Sequence, residues 1–216
     1  MEITYKNKRY KVRFGLGQGL TRGVAILGGI SILAFIITQS NRAIFYPILG
    51  FVPSYALGKL MVWQFVTANF MHSSLLHLSF NMLGLYMFGG PVEKELREKE
   101  FIKYFLICGV GAFVLTYLLW LVGIIAPNVL CVGASAAVYG LLLAFSLLYR
   151  NKKILLFFAI PMQAKWLAII FGGLEFLLCF RNDGISHIGH LGGILAGLGY
   201  FFYMRGFQFI KGATHD

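Results

Sequence analysis

The feature that most constrains this chain is a series of long apolar segments separated by short stretches rich in charged or turn-forming residues. A helix that crosses the hydrocarbon core of a membrane needs about 20 residues, and most of these segments approach that length. The predicted transmembrane helices are six in number and lie near residues 22–40, 75–90, 101–122, 134–149, 164–180 and 187–204. We therefore expect an all-α membrane protein built as a six-transmembrane-helix bundle.

The composition argues against an ordinary water-soluble domain. Hydrophobic residues make up 58% of the 216 residues and charged residues only 12%, against about 25% in a typical soluble domain. We predict one membrane domain over 22–205, between a basic N-terminal tail over 1–21 and a short C-terminal tail over 206–216. The net charge of +11 does not indicate nucleic acid binding, because the cations lie between apolar segments rather than on one polar face.

The distribution of Lys and Arg predicts the orientation in the membrane. The N-terminal segment through Arg22 holds six of these residues, the second and fourth connections hold four each, and the C-terminal tail holds two, so sixteen lie on one side. The other side has only Arg42, Lys59 and Arg181. By the positive-inside rule we expect both termini to be cytoplasmic. The small layout without a further domain favours a prokaryotic plasma membrane.

The apolar stretch ILLFFAIPM at 154–162 has two interpretations. Its hydrophobicity suits a further helix, but Pro161 lacks the N–H group that the interior of a helix needs. We therefore predict a re-entrant or loop segment there, with a helix as the alternative.

Four hydrogen-bonding residues are predicted at a similar depth near the outer face, where the second, fourth and sixth helices begin. His77 and Asn81, spaced i and i+4, lie on one side of the second helix. Ser135 begins the fourth helix, and His190 lies near the start of the sixth. A single Ser or His in a membrane helix is often only an interhelical hydrogen bond. Histidine is costly in hydrocarbon, however, so a converging group indicates a functional site.

Small residues recur at helical spacing on the fourth and sixth predicted helices, where they let two backbones approach closely. The two stripes consist of Gly133, Ala137, Gly140 and Ala144 on the fourth helix and of Gly189, Gly193 and Gly197 on the sixth. If these stripes face each other, Ser135 and His190 come within hydrogen-bond reach, as a histidine base requires. Ordinary helix packing explains the glycines equally well, but it does not explain a Ser and a His at matched depth.

Three motifs, in order along the chain, resemble those of the rhomboid family of intramembrane serine proteases. FMHSSLLHLSFNMLGLYMFGG resembles the family's second helix, GASAAVYG its GxSx nucleophile motif and GHLGGILAG its HxxGxxxG motif, and the match covers about 63–197. The resemblance implies that Ser135 is the nucleophile and that His190 is the general base and later the acid. It also implies that His77 and Asn81 donate to the oxyanion, together with the backbone N–H of Ser135.

The expected chemistry uses a Ser-His dyad, because none of the eight acidic residues lies near the polar group on the second, fourth or sixth helix. The resemblance also implies that Tyr139, one turn below Ser135, packs against the His190 ring, although aromatic residues are also common in a membrane core. Glu175 lies near the outer end of the fifth helix and is assigned no catalytic role. The resemblance gives Glu93 a structural role in a loop.

Two positions depart from the family pattern. The residue after the nucleophile is commonly Gly and is Ala136 here, and a Trp-Arg pair before the second helix is Trp63-Gln64 here. The extra methyl group of Ala136 is expected to narrow the acyl pocket or to be tolerated. The loss of a cation at Gln64 is expected to change how the first loop is anchored.

The remaining histidines do not predict a metal site. His72 and His187 lie near the outer ends of their helices and are expected to serve in structural hydrogen bonds or in water access. No HExxH-type spacing and no carboxylate partner accompanies the histidines in the sequence, so we predict neither a metal nor a cofactor.

The predicted function is that of a serine endopeptidase that cleaves the transmembrane segments of other membrane proteins near the outer face of the bilayer. Its partners would be those substrates and membrane lipids, and the sequence leaves the oligomeric state open. One alternative is a rhomboid-like pseudoprotease that binds membrane proteins without cutting them, although such relatives typically lack the Ser or the His. Another is a small polytopic transporter with His77, Asn81 and His190 lining a relay, although such sites usually lie near the midplane.

Overall fold

The structure is a computed structural model and describes residues 2–5, 8–11, 20–156, 160–179 and 186–212. The helices in this part of the chain are α1 (Arg22–Ser40), α2 (Arg42–Leu49), α3 (Pro53–Ala56), α4 (Gln64–Thr67), α5 (Leu75–Gly84), α6 (Gly90–Leu96), α7 (Glu98–Leu121), α8 (Ser135–Leu148), α9 (Lys165–Leu178) and α10 (His187–Gly212). The strands are β1 (Glu2–Tyr5), β2 (Lys8–Lys11), β3 (Lys153–Leu156) and β4 (Ile160–Gln163).

Helices occupy all six segments that the sequence predicts as spans. The second, 75–90, consists of α5 and a π-helical turn at Leu85–Gly89, and α6 continues from it to Leu96. In the described part of the chain, two helices are long and apolar enough to cross a membrane by length and composition, namely α1 and α7. Helices α8 and α9 have 14 residues each, or about 21 Å against a hydrocarbon core of about 30 Å. The mainly helical architecture is confirmed, whereas the six-span count and the cytoplasmic termini stay predictions.

Large apolar side chains cover the outward faces of several helices. Ile32, Leu33 and Ile36 are exposed on α1, and Phe176 and Leu177 are exposed on α9. A soluble monomer rarely presents contiguous apolar surface on this scale. These faces are therefore those expected of helices in contact with lipid.

Helix α7 lies at the centre of the helix packing. Its residues Tyr104, Phe105 and Cys108 are fully buried in the same cluster as residues of α8 and α10. The Tyr104 hydroxyl donates a hydrogen bond of 2.8 Å to the carbonyl of Gly140 in α8. A Cβ added at Gly140 would lie 2.3 Å from Cys108 Sγ, so only glycine permits this approach. Helix α7 is thus the support against which the helices carrying Ser135 and His190 are held.

Four short strands correct the prediction of an all-α protein. Strands β1 and β2 pair in antiparallel fashion within the N-terminal tail, and β3 pairs with β4 in the same way. The second pair includes the described ends of the 154–162 segment, so the helix considered there is wrong. Pro161 lies opposite Leu155 in this hairpin, a placement that needs no continuous helical N–H ladder.

The connection between α1 and α5 is folded, a feature that the hydropathy pattern did not predict. It contains α2, α3, α4 and a 3₁₀ turn at Ala68–Phe70. Gln64 is fully buried within it. Its Oε1 accepts a hydrogen bond from the Val52 N–H at 3.1 Å, and its Nε2 donates to the Pro47 carbonyl at 2.7 Å. The uncharged residue at this departure from the family pattern therefore anchors the loop through hydrogen bonds.

Glu93 in α6 caps the beginning of α1. Its carboxylate accepts hydrogen bonds from the Thr21 hydroxyl at 2.5 Å and from the N–H groups of Gly23 and Val24 at 2.8 and 3.0 Å. The first N–H groups of a helix have no partner within the helix, and they carry partial positive charge. Because the first turn of α1 has no acidic residue, Glu93 supplies the anion from another helix. This placement agrees with the structural role that the resemblance implies.

Candidate active site

The loop before Ser135 is held on both sides by backbone hydrogen bonds. Cys131 and Phe51 exchange two N–H···O bonds of 2.9 and 3.0 Å, and the Gly133 N–H donates to the Ala68 carbonyl at 2.9 Å. Helix α8 then begins at Ser135 itself. The hydroxyl of Ser135 is therefore fixed at the N-terminal end of a helix, where the unpaired N–H groups favour a negative charge.

His72 ties the same loop to the segment before α5. It is fully buried, and its Nδ1 lies 3.2 Å from the Phe70 carbonyl. Its Nε2 accepts a hydrogen bond from the Ala134 N–H at 3.5 Å, which requires that Nε2 carry no proton. Burial, and secondarily the charge of His77, lowers the pKa of His72 to about 4. His72 thus makes structural hydrogen bonds, the first of the two roles that the sequence allowed.

Ser135 and His190 are in direct contact across α8 and α10. Ser135 Oγ and His190 Nε2 are 2.8 Å apart. The Tyr139 ring stacks on the His190 ring with 4.6 Å between centroids and 20° between planes. The two helices touch at Gly193, where an added Cβ would lie only 2.3 Å from the carbonyl oxygen of Ala136. Gly193 is therefore the small residue that brings α10 close enough to α8 for this contact.

Two other glycines of the stripes make their closest contacts outside the α8–α10 interface. Gly133 precedes α8, has a φ of +127° and faces His77, whose ring would be 2.7 Å from an added Cβ. Gly197 faces α7, where an added Cβ would meet the Tyr104 hydroxyl at 2.7 Å and Cys108 Sγ at 2.9 Å. The glycines of α10 are therefore divided between α7 and α8, and the two stripes face each other only in part, where Gly193 lies against Ala136 and Gly140.

His77 and Asn81 approach the site from α5. His77 Nδ1 lies 3.1 Å from the Ser73 hydroxyl oxygen, and the opposite edge of the ring faces the loop at Gly133. Asn81 is buried, and its Nδ2 donates to the His77 carbonyl at 2.9 Å. Both side chains lie on one side of α5, as the i and i+4 spacing predicts. An amide nitrogen has two N–H groups, so this bond leaves Asn81 a second donor.

Glu175 of α9 joins the site, which the sequence analysis did not predict. It is only 5% exposed. The Tyr139 hydroxyl donates to Glu175 Oε1, and Oε2 lies 2.6 Å from His187 Nδ1 and 3.0 Å from His190 Nδ1. The expectation that His190 has no acidic neighbour is therefore wrong. The acid comes from α9, a helix that carries none of the other polar residues of the site.

Two signals in the sequence pointed to this cluster. An acid within an apolar helix needs a partner, because an unpaired charge is costly in a membrane. His187 and His190, spaced i and i+3, share one side of α10 and were available as that partner.

The same three side chains offer metal-ligand atoms within 4.8 Å of one another. Two ligand atoms that share a tetrahedral zinc ion are separated by about 3.3 Å, given metal–ligand distances near 2.0 Å. The 2.6 Å between His187 Nδ1 and Glu175 Oε2 is shorter than that separation. A direct hydrogen bond therefore fits this pair better than a bridging ion.

Comparisons with known proteins identify the family. The rhomboid domain profile matches residues 59–207 of this chain. The chloroplastic rhomboid-like protein 11 of Arabidopsis thaliana is 32% identical over 171 residues, which are 71% of this chain and 57% of that protein. The mitochondrial rhomboid protein 1 of Saccharomyces cerevisiae is 29% identical over 69% of this chain and 43% of its own length.

A bacterial relative carries a protease name. The rhomboid protease GluP of Bacillus subtilis is 29% identical over 62% of this chain and 24% of its own length. The chain spans about half the length, or less, of these curated relatives. Because two of them are chloroplastic and mitochondrial by name, the comparisons do not support the predicted prokaryotic plasma membrane. The resemblance seen in the motifs is nevertheless confirmed, and the chain belongs to the rhomboid family of integral membrane proteases.

Proposed function

We propose that this chain is an intramembrane serine endopeptidase in which Ser135 is the nucleophile and His190 the general base. The observation that carries the proposal is the 2.8 Å contact between Ser135 Oγ and His190 Nε2. A histidine base must lie within about 2.6–3.2 Å of the proton-bearing atom that it deprotonates. Helix packing alone does not require these two reactive atoms to face each other.

The neighbouring groups support the successive steps of an acyl transfer. As Ser135 attacks a peptide carbonyl, its proton passes to His190 Nε2, which returns it to the leaving amine. The carbonyl oxygen becomes negatively charged at the N-terminal end of α8, where the backbone N–H of Ser135 is a further proposed donor. His77 and Asn81 are the proposed side-chain donors to that oxygen, and one such donor contributes about 10² to 10³ in rate. Water then hydrolyses the acyl-enzyme.

The proposed substrates are transmembrane segments of other membrane proteins. A stable helix keeps its carbonyl groups in internal hydrogen bonds, so a cleavable segment must unwind near the site. The family resemblance favours small residues beside the cleaved bond. With both termini in the cytoplasm, as the positive charges predict, cleavage takes place near the outer face.

The test is cleavage of a reporter transmembrane substrate by purified protein in liposomes. Ser135→Ala and His190→Ala are expected to abolish cleavage while the proteins remain folded. Ser146→Ala is the matched control, because its hydroxyl lies on the same helix and donates to the Leu142 carbonyl instead. Failure of the wild type on a varied panel of substrates, with no phosphonate labelling of Ser135, would instead support the pseudoprotease alternative.

A further inference from the structure

The most unusual buried group outside the proposed Ser-His pair is the carboxylate of Glu175. Helix α9 presents apolar side chains to the outside, and Glu175 is one of the few buried positions in it. Removing a charge from water without compensation costs several kcal/mol. Two hydrogen bonds compensate it here, from the Tyr139 hydroxyl to one oxygen and from His187 Nδ1 to the other, and His190 Nδ1 lies 3.0 Å from the second oxygen.

The position of the Glu175 carboxylate favours one nitrogen of each imidazole as the site of the proton. An ionised carboxylate oxygen only accepts hydrogen bonds, so a neutral histidine that faces it with Nδ1 places its proton there. For His190 this leaves Nε2 unprotonated, and Nε2 is the atom 2.8 Å from Ser135 Oγ. This is the tautomer in which His190 acts as a base toward the hydroxyl.

We propose that Glu175 is a positioning residue that holds His190 in its base tautomer and stabilises the imidazolium that forms during the reaction. This inference rests on the proposed protease function and replaces the expected dyad by a Glu-His-Ser arrangement drawn from α9, α10 and α8. Glu175 acts through His190 and touches no reacting atom of the substrate.

The resting contact between Glu175 and His190 is short but not aligned. The distance is 3.0 Å, yet the Nδ1–H direction does not meet Oε2 at a hydrogen-bond angle. Catalytic hydrogen bonds are often poorly aligned before substrate binds and tighten as charge develops. The stacked Tyr139 ring covers one face of His190, so the imidazole can adjust mainly within its own plane.

His187 shares the same carboxylate oxygen at 2.6 Å. It keeps the carboxylate anchored on α10 while His190 exchanges its proton with the substrate. Among the described residues, the titratable groups that face Glu175 are His187, His190 and Tyr139, and His77 is close enough to His190 for their charges to interact.

If Glu175 only connects α9 to α10, the activities of two variants are expected in the opposite order from that of a positioning role. Glu175→Gln keeps the size of the side chain and loses the charge, and its amide can donate to Nδ1 and favour the wrong tautomer. Glu175→Asp keeps the charge and loses one methylene. If the charge matters, Asp retains more activity than Gln; if only shape and packing matter, Gln retains more than Asp.

The experiment measures kcat and KM for reporter cleavage by the wild type and both variants. The corresponding Asp-to-Asn change in a serine protease triad lowers kcat by about 10⁴, and we expect at least about 10² for Glu175→Gln, with KM changed less than about threefold. Glu95→Gln is the matched control, because Glu95 also accepts a tyrosine hydroxyl, that of Tyr149 at 2.9 Å, away from the site. We expect it to cleave at the wild-type rate.

The outcomes separate this inference from the proposed function. If the wild type does not cleave, the proposed function fails. If the wild type cleaves and Glu175→Gln is as active as the wild type, or more active than Glu175→Asp, the positioning role is overturned.

A measurement on the wild type keeps the inference testable should Glu175→Gln not fold. Nitrogen-15 NMR of histidine-labelled protein at pH 8.5, with His190 assigned by the signal lost in His190→Ala, reports which ring nitrogen is protonated. We expect the Nδ1–H form, and a predominant Nε2–H form would overturn the inference.

Discussion

Replacement of Gly193 by alanine tests whether the close approach of α8 and α10 is what permits the Ser135–His190 contact. A Cβ at position 193 would lie 2.3 Å from the carbonyl oxygen of Ala136. Since a carbon and a carbonyl oxygen rarely come closer than about 3.3 Å, the helices must separate by about 1 Å. A backbone oxygen cannot rotate away as a flexible side chain can. The Ser135–His190 contact, now 2.8 Å, would lengthen to about 3.8 Å and lose its hydrogen bond.

We expect Gly193→Ala to lower kcat by about 10², the loss that accompanies a 1 Å misplacement of catalytic groups. Gly199→Ala is the control on the same helix, because a Cβ there meets nothing within 4 Å. It is expected to keep full activity and to stabilise α10 by up to about 1 kcal/mol. Reporter cleavage at saturating substrate and the rate of phosphonate labelling are measured for both, with thermal midpoints as a check on folding. Equal activity of the two variants would refute the reasoning. Restored activity in the double variant Gly193→Ala, Ala136→Gly would also refute it, because Ala136→Gly leaves the clashing carbonyl oxygen in place.

Three further predictions follow from single contacts. Gly133→Ala is expected to abolish cleavage, because φ is +127° and the new Cβ meets the His77 ring. The control Gly123→Ala has a φ of +78° with open space around the new Cβ, and it is expected to lose only about 1–2 kcal/mol of stability. Glu93→Gln weakens the cap of α1 and is expected to lower the free energy of unfolding by about 1–3 kcal/mol with kcat unchanged; an unaltered thermal midpoint contradicts this. The pKa of His72, lowered to about 4 by burial, keeps the folded ring neutral, so stability is retained above pH 6.5 and falls by up to about 3 kcal/mol as the pH drops from 6.5 to 4. Thermal midpoints over this range should fall more for the wild type than for His72→Gln.

The helices were predictable from the sequence because a long apolar segment is stable in a membrane only as a helix. The first predicted span, 22–40, coincides with α1, Arg22–Ser40. The folded connection with its buried Gln64 was not, because its three short helices are too brief to give a periodic signal. The β3–β4 hairpin was not predicted for a different reason. A short apolar run is compatible with a strand or a helix segment until its partner is known.

The site was predictable where one helix carries a recognisable spacing and not where several helices must be arranged in space. The i and i+4 spacing of His77 and Asn81 fixes their common side without knowledge of the fold. Glu175 could not be assigned in the same way, because its meeting with His190 depends on how α9 packs against α10. The division of Gly193 and Gly197 between two neighbours likewise depends on the position of α7, which a single stripe does not encode.

The separation of the reactive groups along the chain has a consequence for biosynthesis. The ribosome delivers Ser135 first, then Glu175, and His190 only with α10. On the proposed mechanism, a growing chain therefore carries the nucleophile without its base, and it is inactive toward the proteins that it meets during insertion. On this mechanism, activity begins only when α10 packs against α7 and α8 and brings Gly193 against the Ala136 carbonyl.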